Sequence, residues 1–402
     1  MVDHQENNLK KLTENEKQIF GAIDQNDIVR LKTLLSEVAN VNFVDENSMT
    51  PLQHAAYKGN KEIVQLLLDQ GSDVNYCEHQ HNYTALHFAG LSGNSDVCLA
   101  LLLAGAKSLV TNTVGRNAAQ MAAFVGHHSC VAVINNYIPK QDVDYYTKVH
   151  GTQSIPTLPP FLADSFHKFI MQVNIHPVKV ALNVQNFVGL SEHLTELKKV
   201  LELMSEREIK RGAEMNEVMS FKFHYLAYVI GEIAKIRQRQ NNTKKDEADD
   251  EKKLDITELF TRKLLKPGKD GQMEVMDGFL KECIREFPFR DCTLFRQIVT
   301  SLAGEDPPSP FNVINASING QRGFVDNLSI CSTCGEEKPT KKCSKCKSVQ
   351  YCDRNCQRLH WHWHKKCCSR ISQGLHENDI QVKPSANEIA ADIQNLLVND
   401  QN

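Results

Sequence analysis

The chain of 402 residues has the length of two or three domains and a composition that is ordinary for soluble globular proteins. Its formal net charge of −3 neither favours nor excludes an acidic partner. The longest apolar run, at 97–106, has about ten residues, which is too short to cross a bilayer. These features exclude a membrane-spanning protein, and we expect no membrane insertion.

Cysteine usage indicates a reducing compartment. The first residues, Met1 to Lys10, are polar and do not resemble a signal peptide. There are thirteen cysteines, an odd number, and five of them are scattered outside one dense cluster near the end of the chain. A disulfide framework would need an oxidising compartment. The sequence therefore predicts an intracellular, cytoplasmic protein.

A six-residue pattern recurs in the first third of the chain at intervals of 34 and 33 residues. A glycine turn follows each copy. In each copy a Thr or Asn can cap a helix, and small alanines would let neighbouring helices approach closely. The copies are Thr50-Pro51-Leu52-Gln53-His54-Ala55, Thr84-Ala85-Leu86-His87-Phe88-Ala89 and Asn117-Ala118-Ala119-Gln120-Met121-Ala122.

This pattern resembles the ankyrin repeat. The resemblance implies a solenoid of paired helices over 16–138, with repeats at about 16–46, 50–79, 84–112 and 117–138. The first repeat is a degenerate copy, and residues 1–15 form a polar N-terminus.

One inter-repeat finger, 76–83, is a residue longer than the others. Asn75 and Thr84 are nine positions apart, whereas the corresponding separation in two other repeats is eight. Finger tips commonly vary among ankyrin proteins to bind partners, and a solvated turn is the alternative. A metal site built from Cys77 and the two finger histidines is a weaker hypothesis, because such ligands lack rigid support. The partner-binding candidates are Tyr76, His79, His81 and Tyr83.

Helical spacing returns after the repeats, between two proline-containing segments. We expect a linker at 139–160, a helical domain of unreadable type at 161–300, and a second linker at 301–330. A charge run at 244–251 interrupts the helical domain and is typical of a solvated loop. The tail, 369–402, is polar with one amphipathic helix at 385–398, which suits core packing and partner binding equally.

Eight cysteines lie in the segment from Cys331 to Cys368, and this segment has too few apolar residues to form a core. Cysteine pairs two residues apart can be aimed by a tight turn at one tetrahedral Zn²⁺. With His364, this region offers four ligand pairs, which close two four-coordinate sites and leave no open position. The sequence predicts two structural zinc ions whose binding drives folding.

The spacing, the aromatic Tyr351 before the fifth cysteine, and the run from Cys356 to Cys368 resemble the MYND zinc finger. The resemblance implies a cross-brace in which alternate pairs share an ion, whereas spacing alone leaves a sequential pairing open. Its register makes His360, His362 and Cys367 packing or surface residues. The implied sites are Cys331, Cys334, Cys352 and Cys356 for the first zinc, and Cys343, Cys346, His364 and Cys368 for the second.

MYND fingers grip short proline-rich ligands, typically Pro-x-Leu-x-Pro, so the resemblance implies such partners here. Gln357 and Trp361 are the partner-binding candidates on the finger. The first linker contains a matching segment, Pro156 to Pro160, which could cap the finger from within the same chain. An ordinary proline linker is the alternative hypothesis. The finger is locally basic, but no recognition helix accompanies it, and we expect no nucleic acid partner.

No enzyme signature is present: the sequence lacks a phosphate-binding glycine loop, a nucleophile elbow and a zinc-protease helix. Methyltransferases that contain a MYND finger need a long catalytic segment after it, and only 34 residues follow Cys368. The predicted fold is mostly α, with an ankyrin solenoid, a helical middle region and a small two-zinc cross-brace finger.

This order of modules resembles the ankyrin repeat and MYND domain-containing family. The resemblance implies a non-enzymatic adaptor that helps to bring signalling membrane proteins to the primary cilium, with those proteins or their chaperones as partners. A nuclear corepressor adaptor that recruits partners through the finger is one alternative. A scaffold in which the zinc sites only end the chain is another.

Overall fold

The computed structural model describes residues 12–212, 215–243, 255–268, 273–320 and 329–372. The fold is mostly helical, as predicted, and the chain divides into two compact units, Met1–Asn327 and Leu328–Asn402. Most of the polar N-terminus, the charge run and the predicted tail helix lie outside the described residues. Among the described residues, no helix has both the length and the apolar character needed to cross a membrane.

The first unit begins with four consecutive helix pairs. The first helices of successive pairs contact one another, and so do the second helices, which gives the two-layered stack expected of ankyrin repeats. The pairs are α1 Glu14–Asp24 with α2 Ile28–Ser36, α3 Pro51–Lys58 with α4 Lys61–Asp69, α5 Ala85–Ser92 with α6 Ser95–Leu103, and α7 Ala118–Phe124 with α8 His128–Asn136.

The repeated sequence pattern explains how these helices begin and end. The Thr50 side chain accepts a hydrogen bond from the Gln53 amide, and the Gln53 side chain accepts one from the Thr50 amide, which forms a capping box. The helix ends at Gly59, whose φ of 76° lies in the left-handed region that glycine adopts without strain. Fully buried alanines such as Ala55 and Ala89 let adjacent helices approach.

A second helical layer follows in the same unit. Its longest helix, Glu217–Thr243 (α13), packs along most of the helix Leu194–Ile209 (α12) and buries an apolar core that includes Phe221, Leu226 and Ile230. The helices are α9 Lys140–Asp144, α10 Ala163–Ile170, α11 Pro177–Asn186, α12 Leu194–Ile209, α13 Glu217–Thr243, α14 Ile256–Leu264, α15 Glu274–Arg285, α16 Thr293–Leu302 and α17 Pro310–Asn319, with short 3-10 turns at Tyr145–Thr147, Pro160–Leu162 and Leu190–Glu192.

Polar side chains of α13 satisfy backbone carbonyls that would otherwise be buried without a partner. The Lys222 ammonium, on a completely buried side chain, donates to the carbonyl of Ile170 over 2.5 Å. The Tyr225 hydroxyl donates to the carbonyl of Ile175 over 2.6 Å. Because an unpaired buried carbonyl is costly, these bonds fix α13 against the chain around α10.

The segment 139–160 differs from the predicted linker because it is built into the first unit. The side chains of Tyr146 and Leu158 are buried, and the Leu158 amide donates to the Tyr146 carbonyl over 2.9 Å. Asp142 on α9 accepts hydrogen bonds from Arg207 and Arg211 at 2.8 and 3.2 Å. Proline interrupts the helical pattern here, but apolar burial and an ion-pair cluster still hold the segment in place.

This burial bears on the hypothesis that Pro156 to Pro160 caps the finger. Leu158 is the central leucine of the Pro-x-Leu-x-Pro match, its side chain is 0% exposed, and its amide is bonded to Tyr146. A finger could bind it only after the segment left its core, which would cost roughly the 1.5–3 kcal/mol gained by burying a leucine. The segment is therefore structural in this conformation.

The predicted second linker, 301–330, also contains a helix. The Ser309 hydroxyl accepts from the Asn312 amide, and Pro310 occupies the first helical turn, so α17 begins with a favourable cap. Its buried face includes Val313, Ile314 and Ile318. The prolines that precede this helix suggested a linker, whereas contacts with α8, α13 and α16 stabilise the helix that follows them.

Asn319 joins α17 to the last repeat and to the helical layer. Its side-chain oxygen accepts from the Asn136 amide group over 2.7 Å, and its own amide group donates to the Val173 carbonyl over 3.0 Å. The neighbouring Ile318 carbonyl accepts from the Asn135 side chain over 3.1 Å. Asn319 is only 3% exposed, so these bonds are protected from water.

We therefore expect Asn319→Ala to destabilise the first unit by about 1–3 kcal/mol, because it removes the bonds to the buried Asn136 amide group and to the half-buried Val173 carbonyl. Urea unfolding followed by far-ultraviolet circular dichroism measures this change. The control is Asn312→Ala on the exposed face of the same helix, which should change stability by less than about 0.5 kcal/mol. Equal effects of the two variants would contradict the role given to Asn319.

Lys222 should give the first unit a distinctive pH dependence. Burial lowers the pKa of Lys222 from its usual 10.5 to about 7. Between these values the unfolded chain holds a proton that the folded protein has released, so this group makes the free energy of unfolding rise by about 1.4 kcal/mol per pH unit. Below pH 7 both states hold the proton, so the folded protein buries a charged Lys222 and its stability is lowered by the full cost of that burial.

In the variant Lys222→Met this contribution is absent. The stability of the variant relative to the wild type should therefore fall steadily as the pH increases from about 7 to 10, in urea titrations at several pH values. Lys168→Met, at an exposed position, serves as the control and should follow the wild-type pH dependence. A parallel pair of curves for Lys222→Met and the wild type would contradict the prediction.

Candidate metal centres and interaction surfaces

In the second unit, each of the first two cysteine pairs forms a tight turn. The Gly335 amide donates to the Cys331 carbonyl over 2.9 Å, and the Lys347 amide donates to the Cys343 carbonyl over the same distance. Both donors have positive φ, 66° for Gly335 and 56° for Lys347. The two turns therefore have the same construction, although a glycine favours only the first of them.

A short hairpin and one long helix supply the remaining ligands. Strand β1, Lys341–Lys342, pairs antiparallel with β2, Gln350–Tyr351, and the helix α18 covers Arg354–Ser372. Asp353 caps this helix, since its carboxylate accepts from the Cys356 amide over 2.8 Å. The helix carries Cys356, His364 and Cys368, so one rigid element contributes to two ligand clusters.

The first cluster contains Cys331, Cys334, Cys352 and Cys356, whose sulfurs all lie within 4.8 Å of one another. The Cys334 sulfur is 3.6 Å from that of Cys352 and 3.7 Å from that of Cys356. A tetrahedral ion with Zn–S bonds of about 2.3 Å places its sulfurs about 3.8 Å apart. The cluster therefore fits one Zn²⁺.

The second cluster contains Cys343, Cys346, His364 and Cys368, again within 4.8 Å. The sulfurs of Cys343 and Cys368 are 3.7 Å apart. The Nε2 atom of His364 lies 3.4 Å from the Cys343 sulfur and 3.5 Å from the Cys346 sulfur. A nitrogen and a sulfur on one tetrahedral zinc are about 3.5 Å apart, so this cluster fits a second Zn²⁺.

The two clusters form the cross-brace that the family resemblance implies. The first and third ligand pairs share one site and the second and fourth share the other, which rules out the sequential pairing that spacing had left open. Each ion would have four protein ligands and no open position for water or substrate. Such closed sites are structural, and the two zinc ions hold the turns, the hairpin and α18 together.

The electrostatics of the clusters favour a divalent cation. In the first cluster, the hydrogen bond between the Cys331 and Cys334 thiols lowers the pKa of Cys331, while the neighbouring Cys331 and Cys334 sulfurs raise the pKa of Cys356. In the second, burial raises the pKa of Cys343, but hydrogen bonds from the Cys346 amide, the His364 side chain and the Lys345 amide together outweigh it and lower this pKa to about 6. The adjacent thiolates, four in the first cluster and three in the second, repel one another, and Zn²⁺ removes that repulsion.

The near-ligands of the finger lie outside both clusters. The His360 ring accepts or donates a hydrogen bond with the buried Tyr351 hydroxyl at 3.1 Å, and burial lowers the pKa of His360 to about 4. The Cys367 thiol donates to the His364 carbonyl over 3.3 Å. Neither side chain belongs to a group of potential ligands, so His360 and Cys367 are packing residues beside the sites.

The finger presents its partner-binding candidates from α18. Trp361 is 43% exposed, and its ring contacts that of the ligand His364 edge-on at a centroid distance of 5.9 Å. Gln357, one turn earlier, is half-buried. Both side chains therefore occupy the helix that the zinc sites immobilise.

The structure corrects one candidate in the long ankyrin finger. His79 is only 7% exposed, and its Nδ1 atom accepts from the His81 amide over 3.2 Å. Asp45 and Asn112 make the same kind of bond to the second residue after them in the fingers on either side. His79 thus closes the turn, as Asx side chains do elsewhere, and it is not available as a contact residue.

The other three candidates remain accessible to different degrees. His81 is exposed, whereas Tyr76 and Tyr83 are half-buried. The Tyr83 ring stacks between those of His79 and His87, at centroid distances of 5.4 and 5.6 Å. Among the described residues, three or more possible metal ligands come together only in the two zinc clusters of the second unit. The weaker hypothesis of a metal site at Cys77, His79 and His81 therefore gains no support.

Sequence analysis missed a set of apolar side chains on the first helices of the repeats. Tyr57, Leu91 and Phe124 each lie seven residues after the cap of their helix, and Tyr57 and Phe124 are 56% and 71% exposed. The Arg116 guanidinium lies 4.7 Å from the centre of the Phe124 ring. Comparing equivalent positions of the aligned repeats would have revealed this series, which we call the apolar row.

We expect two zinc ions per chain by elemental analysis of the full-length protein. Cys352→Ser should lose at least one, because oxygen is a poor substitute for a thiolate in a closed site. Cys367→Ser, whose thiol lies beside but outside the second cluster, should keep both. The two tryptophans of the chain lie in the finger, so their fluorescence reports its folding separately. Loss of zinc from Cys367→Ser, or two ions in Cys352→Ser, would contradict the ligand assignment.

Comparisons with known proteins agree with both modules. The family model for ankyrin repeats, in three copies, matches residues 19–112, and that for the MYND finger matches 331–368. The helix pair α7–α8, predicted as a fourth repeat, lies beyond the ankyrin match but stacks on α5 and α6 in the same manner. Both modules typically mediate protein–protein interactions.

Individual relatives match either one part of the chain or nearly all of it. The chain is 36% identical over 114 residues to the human transient receptor potential cation channel subfamily A member 1, which is 28% of this chain and 10% of the channel. It is 36% identical over 98 residues to rat ankyrin repeat and SAM domain-containing protein 6, of which 11% is covered. Dauer abnormal formation protein 25 of Caenorhabditis elegans is 32% identical over 391 residues, which cover 94% of this chain and 97% of the relative. The chain therefore belongs to the family of that protein, in which ankyrin repeats are combined with a MYND finger.

Proposed function

We propose that this protein is a non-enzymatic adaptor that binds one set of partners through its ankyrin repeats and another through its finger. The observation that supports this most strongly is the closure of both zinc clusters by four protein ligands each. Zinc held in this way orders a surface and has no position for catalysis. The exposed side chains of the two modules then become the functional elements.

On the repeats, the proposed contact residues are His81, Tyr76 and Tyr83 of the long finger. The apolar row lies on the first helix of each repeat, directly after the ankyrin finger that precedes that helix. Phe124, at the end of the row, is the most exposed aromatic side chain of the repeats. Aromatic side chains are enriched at the centres of protein interfaces, because they bury a large area with few rotatable bonds. A protein partner laid across the stack would contact both sets.

On the finger, the proposed contacts are Gln357 and Trp361, with short proline-rich segments of other proteins as ligands. The exposed indole supports this role, because an extended proline-rich segment docks on aromatic side chains and loses little entropy. With Leu158 buried in the first unit, we assign the ligand to a separate protein.

For the cell biology we propose the role that the family resemblance implies, namely helping signalling membrane proteins, or their chaperones, to reach the primary cilium. The proposed location is cytoplasmic and ciliary. A nuclear corepressor adaptor would use the same finger, and it is distinguished by where the protein accumulates. Nuclear accumulation with chromatin-associated partners would favour the corepressor.

Proximity labelling in ciliated cells tests the adaptor. Trp361→Ala should lose one defined partner set while zinc content stays at the wild-type level, and Phe124→Ser should lose a different set. Val29→Ser, a highly exposed apolar position on α2, is the control and should lose neither. If Trp361→Ala keeps every partner, the zinc finger has only a structural role. If both variants lose the same partners, the proposal of two independent binding surfaces is wrong.

A further inference from the structure

The exposed face of α18 has a chemical pattern that the zinc ligands do not explain. Every position on one stripe of this helix is exposed, and the stripe borders the helix face that carries the zinc ligands His364 and Cys368. The stripe follows the spacing i, i+4, i+7 and i+11, which places its members on one side of a helix. It consists of Arg354, Arg358, Trp361 and Lys365, and we call it the cationic stripe.

The stripe is held rigidly. The three zinc ligands that α18 carries fix its rotation, and the Asp353 cap fixes its start. The Trp361 ring rests against the ligand His364, so its position is also constrained. Arg354 and Lys365 are eleven residues apart, or about 16 Å along the helix axis. A ligand would therefore meet a preformed surface with an aromatic centre and a positive charge on both sides.

The two end charges of the stripe, those of Arg354 and Lys365, are available to a ligand. Within the described part of the chain, neither Arg354 nor Lys365 forms an ion pair, and Arg358 donates to the Asn355 side chain over 3.1 Å. Between Cys331 and Arg370 the sequence has ten Lys or Arg and three Asp or Glu, and one of those three, Asp353, caps α18. The sequence of the finger is therefore strongly basic.

We propose that the cationic stripe selects acidic segments of partner proteins, in which a proline or leucine that packs on Trp361 has carboxylates on both sides. An extended chain advances about 3.3 Å per residue, so about five residues match the length of the stripe. The carboxylates at its ends would then reach Arg354 on one side and Lys365 on the other. This specificity rests on the proposed function of the finger as a peptide-binding module.

A protein segment is favoured over a nucleic acid because the stripe is short. Duplex-binding proteins typically neutralise about six to ten phosphates, whereas the stripe offers three cations and a single indole. The Arg354 guanidinium and the Lys365 ammonium are sufficient to discriminate between two peptides that differ only in charge.

The experiment uses the zinc-loaded full-length protein and two synthetic, fluorescein-labelled peptides. Both have a Pro-x-Leu-x-Pro core; one has two glutamates on each side, and its twin has glutamines at those positions. In fluorescence anisotropy we expect the acidic peptide to bind about tenfold more tightly at low salt, and this difference should narrow as salt screens the charges. Trp361→Ala should weaken both peptides.

The double variant Arg354→Glu, Lys365→Glu should abolish or reverse the preference and leave affinity for the glutamine peptide and zinc content unchanged. The matched control is Lys341→Glu, Lys342→Glu, which makes the same change of charge on the exposed strand β1 and should keep most of the preference. If the control loses as much of the preference for the acidic peptide as the stripe variant does, only the net charge of the protein matters and the proposal is overturned.

The outcomes separate this inference from the function on which it rests. If the wild type binds both peptides equally, the finger is a peptide-binding module without acidic selectivity, and the inference is wrong. If it binds neither peptide, the proposed function of the finger fails as well. Competition of either peptide by a short single-stranded oligonucleotide, lost in the stripe variant but not in the control, would reassign the stripe to nucleic acid.

Discussion

The bond between zinc and thiolate is the constraint on which the finger depends. Residues 329–372 contain few buried apolar side chains, and most of them are cysteines directed at the two clusters. A core of this size cannot offset the conformational entropy of folding without metal. Two ions, each shared by ligands distant in sequence, therefore stabilise the whole second unit. They also orient α18, because its three ligands leave only one helix face for solvent.

The first unit depends on a different kind of constraint, namely satisfaction of buried polar groups between layers. Its repeats stack through apolar surfaces that would tolerate further repeats at either end. The stack instead meets α17 after α8, where Asn136 and Asn319 exchange a hydrogen bond and Val173 completes the set. Such directional bonds specify which helix follows the last repeat, which apolar packing by itself would leave open.

Burial also decides which conspicuous residues are available for function. His79 and Leu158 both belong to patterns that suggested binding, and both are buried because their local turns need them. His79 replaces an Asx side chain in a finger that is one residue longer than its neighbours. Leu158 anchors a proline-interrupted segment whose backbone amide is already bonded to Tyr146. The side chains left exposed, Phe124 and Trp361 above all, lie on rigid helices, where aromatic contacts lose the least entropy.

The sequence by itself determined the two modules and the eight zinc ligands, because repeat capping and metal ligation impose fixed spacings that survive without knowledge of the fold. It also determined that the chain between them is helical, from apolar periodicity. It could not determine that 139–160 and α17 belong to the first unit, since the proline residues there resemble linkers and the contacts that bury the segments come from distant residues such as Arg207 and Asn136. The pairing of the zinc ligands, the burial of His79 and the cationic stripe beside Trp361 were likewise decided by tertiary structure. Each depends on which faces of turns and helices are brought together, and local sequence carries no record of that.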